Sequence, residues 1–192
     1  KPYHLSYPFV FEFNKNFYMV PESESNKKIE IFKCIEFPDK WEFYGNLMDD
    51  IDAVDSTILF YNNKWWLFTG IKENDGASNS DELFLFYSDS PISNKWIPHP
   101  QNPIISDVRK ARPAGKIFSY QNKLYRPSQD GSYYYGYGIN INRIKKINEF
   151  EYEEEVTNKI LPKWDGKITR THTFTYVDGL SIMDGKLRRT RL

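Results

Sequence analysis

The fold is decided by the stretch Asp52-Ala53-Val54-Asp55-Ser56-Thr57-Ile58-Leu59-Phe60-Tyr61-Asn62-Asn63-Lys64-Trp65-Trp66-Leu67-Phe68. It consists of an apolar run, two polar residues at Asn62 and Asn63, and a second apolar run. Two asparagines between apolar runs are a strong local signal for a tight β-hairpin. The stretch is therefore predicted to form two antiparallel strands that turn at Asn62-Asn63.

The same pattern occurs three more times in the chain. Copies cover residues 9–19, 115–125 and, more faintly, 173–183. Asn14 takes the place of Asn62 in the first copy, and Gln121 takes it in the next. Asn14 and Asn62 lie 48 residues apart, and Asn62 and Gln121 lie 59 apart, so each unit has the length of a four-stranded propeller blade.

The later strands of each unit support a repeat of four strands. Phe37-Pro38-Asp39-Lys40-Trp41 leads into the outer strand of the first unit, and Lys95-Trp96 holds the matching place in the second. No stretch of useful length shows helical periodicity, so an almost purely β protein is predicted. We expect one all-β domain over residues 1–192. Its blades are predicted at about residues 1–48, 52–105, 107–155 and, incomplete, 170–192.

The composition narrows the function classes. The 192 residues carry 26 basic and 26 acidic side chains, and the one block of like charge is Glu153-Glu154-Glu155. This balance gives no support to a nucleic-acid partner or to a basic face attracted to membranes. The 14 Phe, 14 Tyr and 5 Trp residues suit strands first, and they also suit surfaces on which sugar rings stack.

Cysteine usage and hydropathy bear on the compartment. Cys34 is the single cysteine, so an intrachain disulfide and a disulfide-stapled secreted fold are excluded. No apolar run approaches the roughly 20 residues that cross a bilayer, and the residues after Lys1 do not form a basic and apolar leader. We expect no membrane span, a cytoplasmic setting and a chain that is part of a longer polypeptide.

The repeats also predict where a site forms. The innermost strands of propeller blades line a central channel, so residues at the same position of successive blades converge at one end of the axis. Just ahead of the first strands lie Tyr7, Asp55, Arg112 and His172, and at the ends of second strands lie Glu22, Arg126, Gln129 and Asp130. Carbohydrate sites are typically built from such groups: carboxylates, guanidinium groups and an imidazole beside aromatic rings.

Each of these residues also has a purely structural interpretation. Asp55 could shape the start of its strand, and Glu22 could be a solvated residue at a strand end. Arg112 and Arg126 could form ion pairs between blades without taking part in chemistry. His172 could be a core imidazole, and one histidine says little about a metal. No metal site and no cofactor are predicted, while an axial calcium near His172 stays open.

Several motifs in combination identify a family. They are His4-Leu5-Ser6-Tyr7-Pro8, Met19-Val20-Pro21-Glu22-Ser23, Asp52-Ala53-Val54-Asp55-Ser56-Thr57, Ala111-Arg112-Pro113-Ala114-Gly115 and Tyr125-Arg126-Pro127-Ser128-Gln129-Asp130. Over nearly its whole length the chain resembles the propeller domain at the N-terminus of plant glucosamine inositolphosphorylceramide transferase. The same domain occurs in bacterial proteins of polysaccharide clusters, some fused to formyltransferase-like or glycosyltransferase domains. More distantly, the chain is similar to the five-bladed β-propellers of the family 43 glycoside hydrolases.

The resemblance implies a five-bladed β-propeller of which about four blades are present. Family members carry one more blade ahead of the His-Leu-Ser-Tyr-Pro motif, and in the hydrolase relatives that blade holds the aspartate that acts as general base. Asp55 resembles the carboxylate that tunes the pKa of the acid and positions the sugar, although Ser56 stands where the family has proline. Glu22 is the candidate for the acid itself.

Three functions remain as alternatives. The first is a domain that binds a glycan or a nucleotide-sugar-derived acceptor in an axial pocket, beside a transferase domain in polysaccharide or glycolipid biosynthesis. Its expected ligand contacts are Tyr7, Arg112, Arg126, Gln129 and His172. The second is a glycoside hydrolase, which needs two carboxyl groups from the set Glu22, Asp55 and Asp130. The third is a propeller that assembles proteins through an unpaired edge. The missing first-blade aspartate favours the first.

Overall fold

The Asn62-Asn63 turn has the geometry that the sequence predicts. In the computed structural model of the protein, which describes residues 2–74 and 76–188, the two asparagines have φ values of 51° and 59°. Positive φ at both central residues defines the type I′ turn, whose twist matches that of the flanking strands. The other three predicted turns do the same, at Asn14-Lys15, Gln121-Asn122 and Asp178-Gly179. All four copies of the pattern are antiparallel hairpins.

The first blade is a four-stranded antiparallel sheet in the order β1-β2-β3-β4. Its strands are β1 (Ser6–Phe13), β2 (Asn16–Glu22), β3 (Lys28–Glu36) and β4 (Lys40–Asp49). A 3-10 turn at Glu24–Asn26 joins β2 to β3, and it is the one helical segment within residues 2–74 and 76–188. The outer strand β4 begins at the Lys40-Trp41 motif, as predicted.

The second blade has a less regular outer edge. Its strands are β5 (Ala53–Tyr61), β6 (Lys64–Ile71), β7 (Glu82–Ser88), β8 (Ile97–Pro98) and β9 (Ile105–Ser106). The two short strands β8 and β9 share the edge of β7, pairing with its two halves. The Lys95-Trp96 motif lies directly ahead of β8, so the repeat is preserved although the outer strand is broken.

The third blade is again a four-stranded sheet, in the order β10-β11-β12-β13. Its strands are β10 (Phe118–Tyr120), β11 (Lys123–Asp130), β12 (Gly138–Ile147) and β13 (Tyr152–Ile160). The outer strand runs five residues beyond the predicted limit at residue 155. The innermost strand is short because Pro113, Ala114 and Gly115 precede it in irregular structure.

The last unit is smaller than the three blades before it. It contains two separate two-stranded sheets rather than a meander, β14 with β17 and β15 with β16. The strands are β14 (Ile168–Arg170), β15 (Phe174–Val177), β16 (Leu180–Met183) and β17 (Lys186–Leu187). Residues 189–192 of the predicted unit lie outside the described residues. No helix of the described ranges is long and apolar enough to span a lipid bilayer.

Successive blades pack face to face with an apolar layer in each gap. In β6, Leu67 faces the first blade, whereas Trp66 and Phe68 face the third. A sheet that is buried on both faces has a continuous apolar sequence, which explains the lack of alternation in this strand. A third layer, which includes Ala114 and Phe174, joins the third blade to the last hairpin. The chain is therefore a series of sheets with interfaces between neighbours, and not two sheets around one core.

Candidate functional site

Three predicted site residues meet at the junction of the second and third blades. Arg112 donates from Nε to Asp55 Oδ2 at 2.6 Å. Gln129 donates from Nε2 to the same oxygen at 3.0 Å and to the carbonyl of Pro113 at 2.9 Å. The side chain of Asp55 is 4% exposed and that of Arg112 is 15% exposed. Asp55 is thus a buried anchor, and Arg112 extends from it toward solvent.

A strand irregularity aims Asp55 at this junction. The register of β5 against β6 shifts between Val54 and Thr57, and Asp55 has a φ of 51°. Tyr7 occupies the same place near the start of β1, with a φ of 45° and a register shift beside it. An extra residue in one strand bends that strand and re-aims a side chain. The repeated bulge is the local reason that both residues face the junction between blades.

Glu22, at the end of β2, lies beside this group. Its Oε2 is 3.7 Å from Nη2 of Arg112, whose Nε is bonded to Asp55. Burial, followed by the hydrogen bond and the negative charge of Asp55, raises the pKa of Glu22 above its ordinary value, although Arg112 opposes the shift. Two carboxyl groups therefore share one guanidinium group here. We call Tyr7, Glu22, Asp55, Arg112 and Gln129 the axial cluster.

Tyr7 closes the cluster on the side of the first blade. Its hydroxyl group lies 3.0 Å from Thr57 Oγ1, which joins β1 to β5. Burial and then the negative charge of Asp55 raise the pKa of Tyr7 well above its ordinary value. The phenol is therefore neutral at physiological pH and serves as a hydrogen-bonding group.

His172, a predicted site residue, is connected to the axial cluster by the ring of Tyr135. Arg112 lies over the ring of Tyr135, 5.5 Å from its centroid, and the Tyr135 and His172 rings are 4.9 Å apart. His172 is fixed from behind by Asp184, whose Oδ2 is 2.5 Å from its Nδ1. Asp184 also accepts the backbone N–H groups of His172 and Thr173, at 2.8 and 2.7 Å. Burial alone would raise the pKa of Asp184, but these hydrogen bonds outweigh it and lower that pKa.

A cavity of about 210 Å³ opens beside Arg112. It is lined by Ser78, Ser80, Val108, Arg112, Gln129, Asp130, Gly131, Tyr135 and Gly136. A guanidinium group, an amide, hydroxyl groups and the edge of an aromatic ring therefore border one space. A larger groove of about 870 Å³ lies among the hairpin turns of the second and third blades, and none of the predicted site residues lines it.

Arg126 does not belong to the axial cluster, which corrects the sequence prediction. Its side chain is 1% exposed and forms a bidentate pair with Glu154, at 2.8 and 2.7 Å. It also donates to the carbonyl groups of Lys110 at 2.7 Å and Ala111 at 3.4 Å. Because these partners lie inside the third blade and the segment that covers it, Arg126 has no donor directed at the cavity.

Asp130 also faces away from the axial cluster. Successive residues of a strand point to opposite faces, so Gln129 and Asp130 diverge at the end of β11. The carboxylate of Asp130 is held by Lys159 and Ser132. Burial would raise its pKa, but the hydrogen bonds from Lys159 and Ser132 lower it. Asp130 lines the cavity as an ion-paired wall residue and does not meet Glu22 or Asp55.

Sequence reasoning missed some residues of the site. Tyr135 was not singled out, although the Tyr-rich run at residues 132–138 was visible as a signal. Ser80 and Asn79, which accept from Nη1 of Arg112 at 3.2 and 3.4 Å, sit in a polar loop that carries no pattern. Within the described ranges, no group of three or more His, Cys, Asp and Glu residues could hold a metal ion.

Comparison with known proteins gives the family. The sequence profile described as glucosamine inositolphosphorylceramide transferase 1, N-terminal, matches residues 1–176. The chain belongs to this family. It is 36% identical over 158 residues to glucosamine inositolphosphorylceramide transferase 1 of Oryza sativa subsp. japonica, and 34% identical over 181 residues to the Arabidopsis thaliana protein of the same name. These matches cover 81% and 90% of the chain but 21% and 23% of the relatives, so the chain spans about a fifth of their length.

Solved structures give the fold. A thermostable family 43 glycoside hydrolase superposes with a TM-score of 0.66 at 17% identity, over 96% of this chain and 64% of the hydrolase. An α-L-arabinofuranosidase from Clostridium thermocellum does so with a TM-score of 0.64 at 12% identity, over 97% and 65%. The chain therefore has the architecture of a family 43 five-bladed β-propeller, present as an unclosed part. At these identities the likeness concerns the fold alone.

Proposed function

We propose that the chain is a carbohydrate-binding domain that holds a glycan or a nucleotide-sugar-derived acceptor in the cavity beside Arg112. The observation that carries the proposal is the mixed hydrogen-bonding surface of that cavity. Arg112 supplies donors, and Gln129 supplies its amide oxygen, because both N–H groups of its Nε2 are engaged. Ser78 and Ser80 supply hydroxyl groups, and Tyr135 supplies an aromatic ring. Sugars are bound by such sets, because their hydroxyl groups need both donors and acceptors while their C–H faces stack on rings.

The spacing of the carboxyl groups favours binding over hydrolysis. Inverting glycosidases hold their two carboxyl groups about 6.5–9.5 Å apart and retaining ones about 5–5.5 Å apart, so that the scissile bond fits between them. Glu22 and Asp55 both lie on the guanidinium group of Arg112, with Glu22 Oε2 3.7 Å from its Nη2 and Asp55 Oδ2 2.6 Å from its Nε. A third carboxylate, Asp130, is neutralised by Lys159. The convergent carboxyl groups are therefore held on one cation, and not on opposite sides of a bond to be cleaved.

Glycoside hydrolysis remains the second candidate because of one observation. The pKa of Glu22 is raised, with burial as the largest cause, and a general acid requires a carboxyl group that keeps its proton near neutral pH. In this alternative Asp55 would tune that pKa.

The setting of the domain is proposed from its relatives. Those relatives are named as transferases and are about five times as long as the matched region. We propose that this domain presents a sugar-containing acceptor to a transferase domain of the same polypeptide or of a partner, in polysaccharide or glycolipid biosynthesis.

A glycan array followed by calorimetry tests the proposal. We expect selective binding of a glycan, with affinity reduced at least tenfold by Tyr135→Ala and unchanged by Phe150→Ala, which removes an exposed ring at the far hairpin of the third blade. Aryl glycosides should not be hydrolysed, whether or not they bind. Release of the aryl group that Glu22→Gln abolishes would instead establish hydrolysis. No glycan binding, together with oligomers in size exclusion, would overturn both and favour an assembly role.

A further inference from the structure

The end of the propeller that carries the hairpin turns holds a wide groove. Its volume is about 870 Å³, and it lies between the β5–β6 turn of the second blade and the β10–β11 turn of the third, with residues 143–147 of β12 in its lining. We call it the hairpin groove. Asp55 of the axial cluster and Asn62 in the groove are seven residues apart along β5 and its turn, which is roughly 20 Å of strand. The groove and the cavity beside Arg112 therefore lie at opposite ends of the blades.

Among the described residues, every charged side chain that lines the hairpin groove is basic. These side chains are Lys123 of β11 and Arg143, Lys145 and Lys146 of β12. The β12 cations occupy three of four successive positions, so strand alternation cannot send them all to one solvated face. The groove therefore presents a local positive charge that the balanced composition of the whole chain conceals, and such a charge attracts carboxylates.

The counter-charges of these cations lie outside the lining and are weakly held. Each β12 cation pairs with a glutamate of β13 or of the turn before it, Arg143 with Glu155, Lys145 with Glu153 and Lys146 with Glu151. Both side chains of every pair are at least 31% exposed. Exposed pairs contribute little to stability, because solvent screens them, so a cation can exchange its glutamate for a carboxylate of a ligand at little cost. Within residues 2–74 and 76–188, Lys123 has no ion pair to give up.

Exposed aromatic side chains accompany these charges. Tyr61 lines the groove, and the exposed rings of Phe60 and Tyr120 are each adjacent in sequence to a residue of the lining. Phe150, at the β12–β13 turn, is exposed as well. Aromatic residues and arginine are enriched at the centres of protein–protein interfaces, and clustered exposed apolar side chains indicate a contact surface. The side chains around the groove are thus of the kinds that bind another protein.

The arrangement of charges favours a peptide over a nucleic acid. The glutamates Glu151, Glu153 and Glu155 stand beside the β12 cations, so this end of the blade lacks the continuous basic surface that binds a phosphate backbone. An acidic peptide can place separate carboxylates on separate cations and keep its backbone away from the glutamates. Its apolar side chains can pack on Tyr61 and Tyr120, which a phosphate backbone cannot do.

We propose that the hairpin groove is the docking site of a protein partner, which contributes a segment that combines acidic with aromatic side chains. The carboxylates of the segment bind Lys123 and the β12 cations, and its rings pack against Tyr61 and Tyr120. Because the groove lies at the other end of the blades from Arg112, the partner and a sugar can be bound at the same time. The docking site does not depend on the proposed function.

Fluorescence anisotropy with a model peptide tests the proposal. The probe is a fluorescein-labelled peptide in which glutamate alternates with tyrosine, and a second probe has glutamine in place of glutamate. We compare the wild type, a Lys123→Gln/Lys145→Gln variant, and a charge-matched Lys27→Gln/Lys163→Gln control. The two control cations are exposed and lie in the loops that follow β2 and β13, at the end of the axial cluster. A labelled homopolymeric RNA is titrated in parallel.

The wild type should bind the glutamate peptide less tightly at higher salt, and should bind the glutamine peptide at least tenfold more weakly. The Lys123→Gln/Lys145→Gln variant should lose about tenfold in affinity, at about threefold for each cation, and the control less than twofold. Tyr61→Ala should lose about fivefold, and an unchanged affinity would refute the role of the aromatic side chains. Equal losses in the two lysine variants, no binding of the glutamate peptide, or tighter binding of the RNA would overturn the proposal. Circular dichroism checks that the variants are folded.

Discussion

Arg112 and Arg126 are two arginines of one repeat that have opposite surroundings. Arg126 forms a bidentate pair with Glu154, both side chains are 1% exposed, and its other donors bind two carbonyl groups. Arg112 is 15% exposed, shares two carboxyl groups and reaches a cavity. A fully satisfied arginine inside a sheet is part of the structure, whereas a partly exposed one at a junction between blades can exchange partners with a ligand.

The largest expected effect concerns Arg126. Arg126→Ala should lower the free energy of unfolding by about 3–5 kcal/mol, because it leaves Glu154 buried without its counter-charge. Urea denaturation of the variant measures the loss. The double change Arg126→Met/Glu154→Leu should recover most of it, since a buried ion pair can be replaced by apolar residues at little cost. An Arg126→Ala variant as stable as the wild type would mean that the buried pair with Glu154 does not stabilise the third blade.

Arg112 should affect stability less and binding more. Arg112→Ala is expected to lower the free energy of unfolding by about 2 kcal/mol, because Asp55 keeps its bond from Gln129. It should also abolish glycan binding in calorimetry. Arg112→Lys keeps the charge but loses the fork that spans Asp55 and Ser80, and we expect it to recover stability before affinity. Loss of stability as large as that of Arg126→Ala would mean that both arginines are structural.

The axial cluster should also make the stability of the chain depend on pH. The pKa of Glu22 in the folded chain lies above its ordinary value of 4.5. A raised folded pKa gives stability that is complete below about pH 4.5 and is lost as the pH rises through the folded value. Glu22→Gln should therefore melt at a higher temperature than the wild type at pH 7. The two proteins should melt alike at pH 4, and a scan of thermal unfolding against pH measures the difference.

The smallest effect is expected at Lys159. Lys159→Met removes the cation that holds the Asp130 carboxylate, and the side chain of Lys159 is 42% exposed. Because solvent screens such a pair, the loss of stability at pH 7 should be about 1 kcal/mol or less. The pKa of Asp130 is lowered in the folded chain, so the loss should shrink as the pH falls below its ordinary value of 3.8 and vanish below the folded value. Chemical denaturation at pH 7 and at pH 3 distinguishes the two cases.

The hairpins were predictable because their turns are decided locally. Asn62, Asn63 and Asp178 tolerate positive φ, and the apolar runs beside them specify the strands. Tyr7, Asp55 and Arg112 were placed together correctly because repeats bring equivalent positions together. Arg126 was not distinguishable from Arg112 by repeat position. Its partner Glu154 lies 28 residues away, in a block of three glutamates. No local pattern shows which of the three points inward.

The alternation of side chains along β11 could have separated some of the predicted site residues. Arg126 and Asp130 are an even number of residues apart and share one face, while Gln129 lies on the other. The two-residue period of a strand thus places Gln129 on the opposite face from Arg126 and Asp130. It does not say which face turns toward the axial cluster, because that depends on how the third blade packs against the segment at residues 107–111. Most of the fold could therefore be predicted from local sequence. The arrangement of the site depends on how neighbouring blades pack, which local sequence does not show.

The small size of the last hairpin has a kinetic consequence. β15 and β16 pair only with each other, and Phe174 and Tyr176 are their apolar contacts to the third blade. His172 and Asp184, which flank this hairpin, support one wall of the site through Tyr135. Elements with few buried contacts open most often, so backbone amides of β15 should exchange with deuterium faster than those of β6. Under the proposed function, each opening of this hairpin would remove the support of the Tyr135 wall, and a bound sugar would leave sooner as a result.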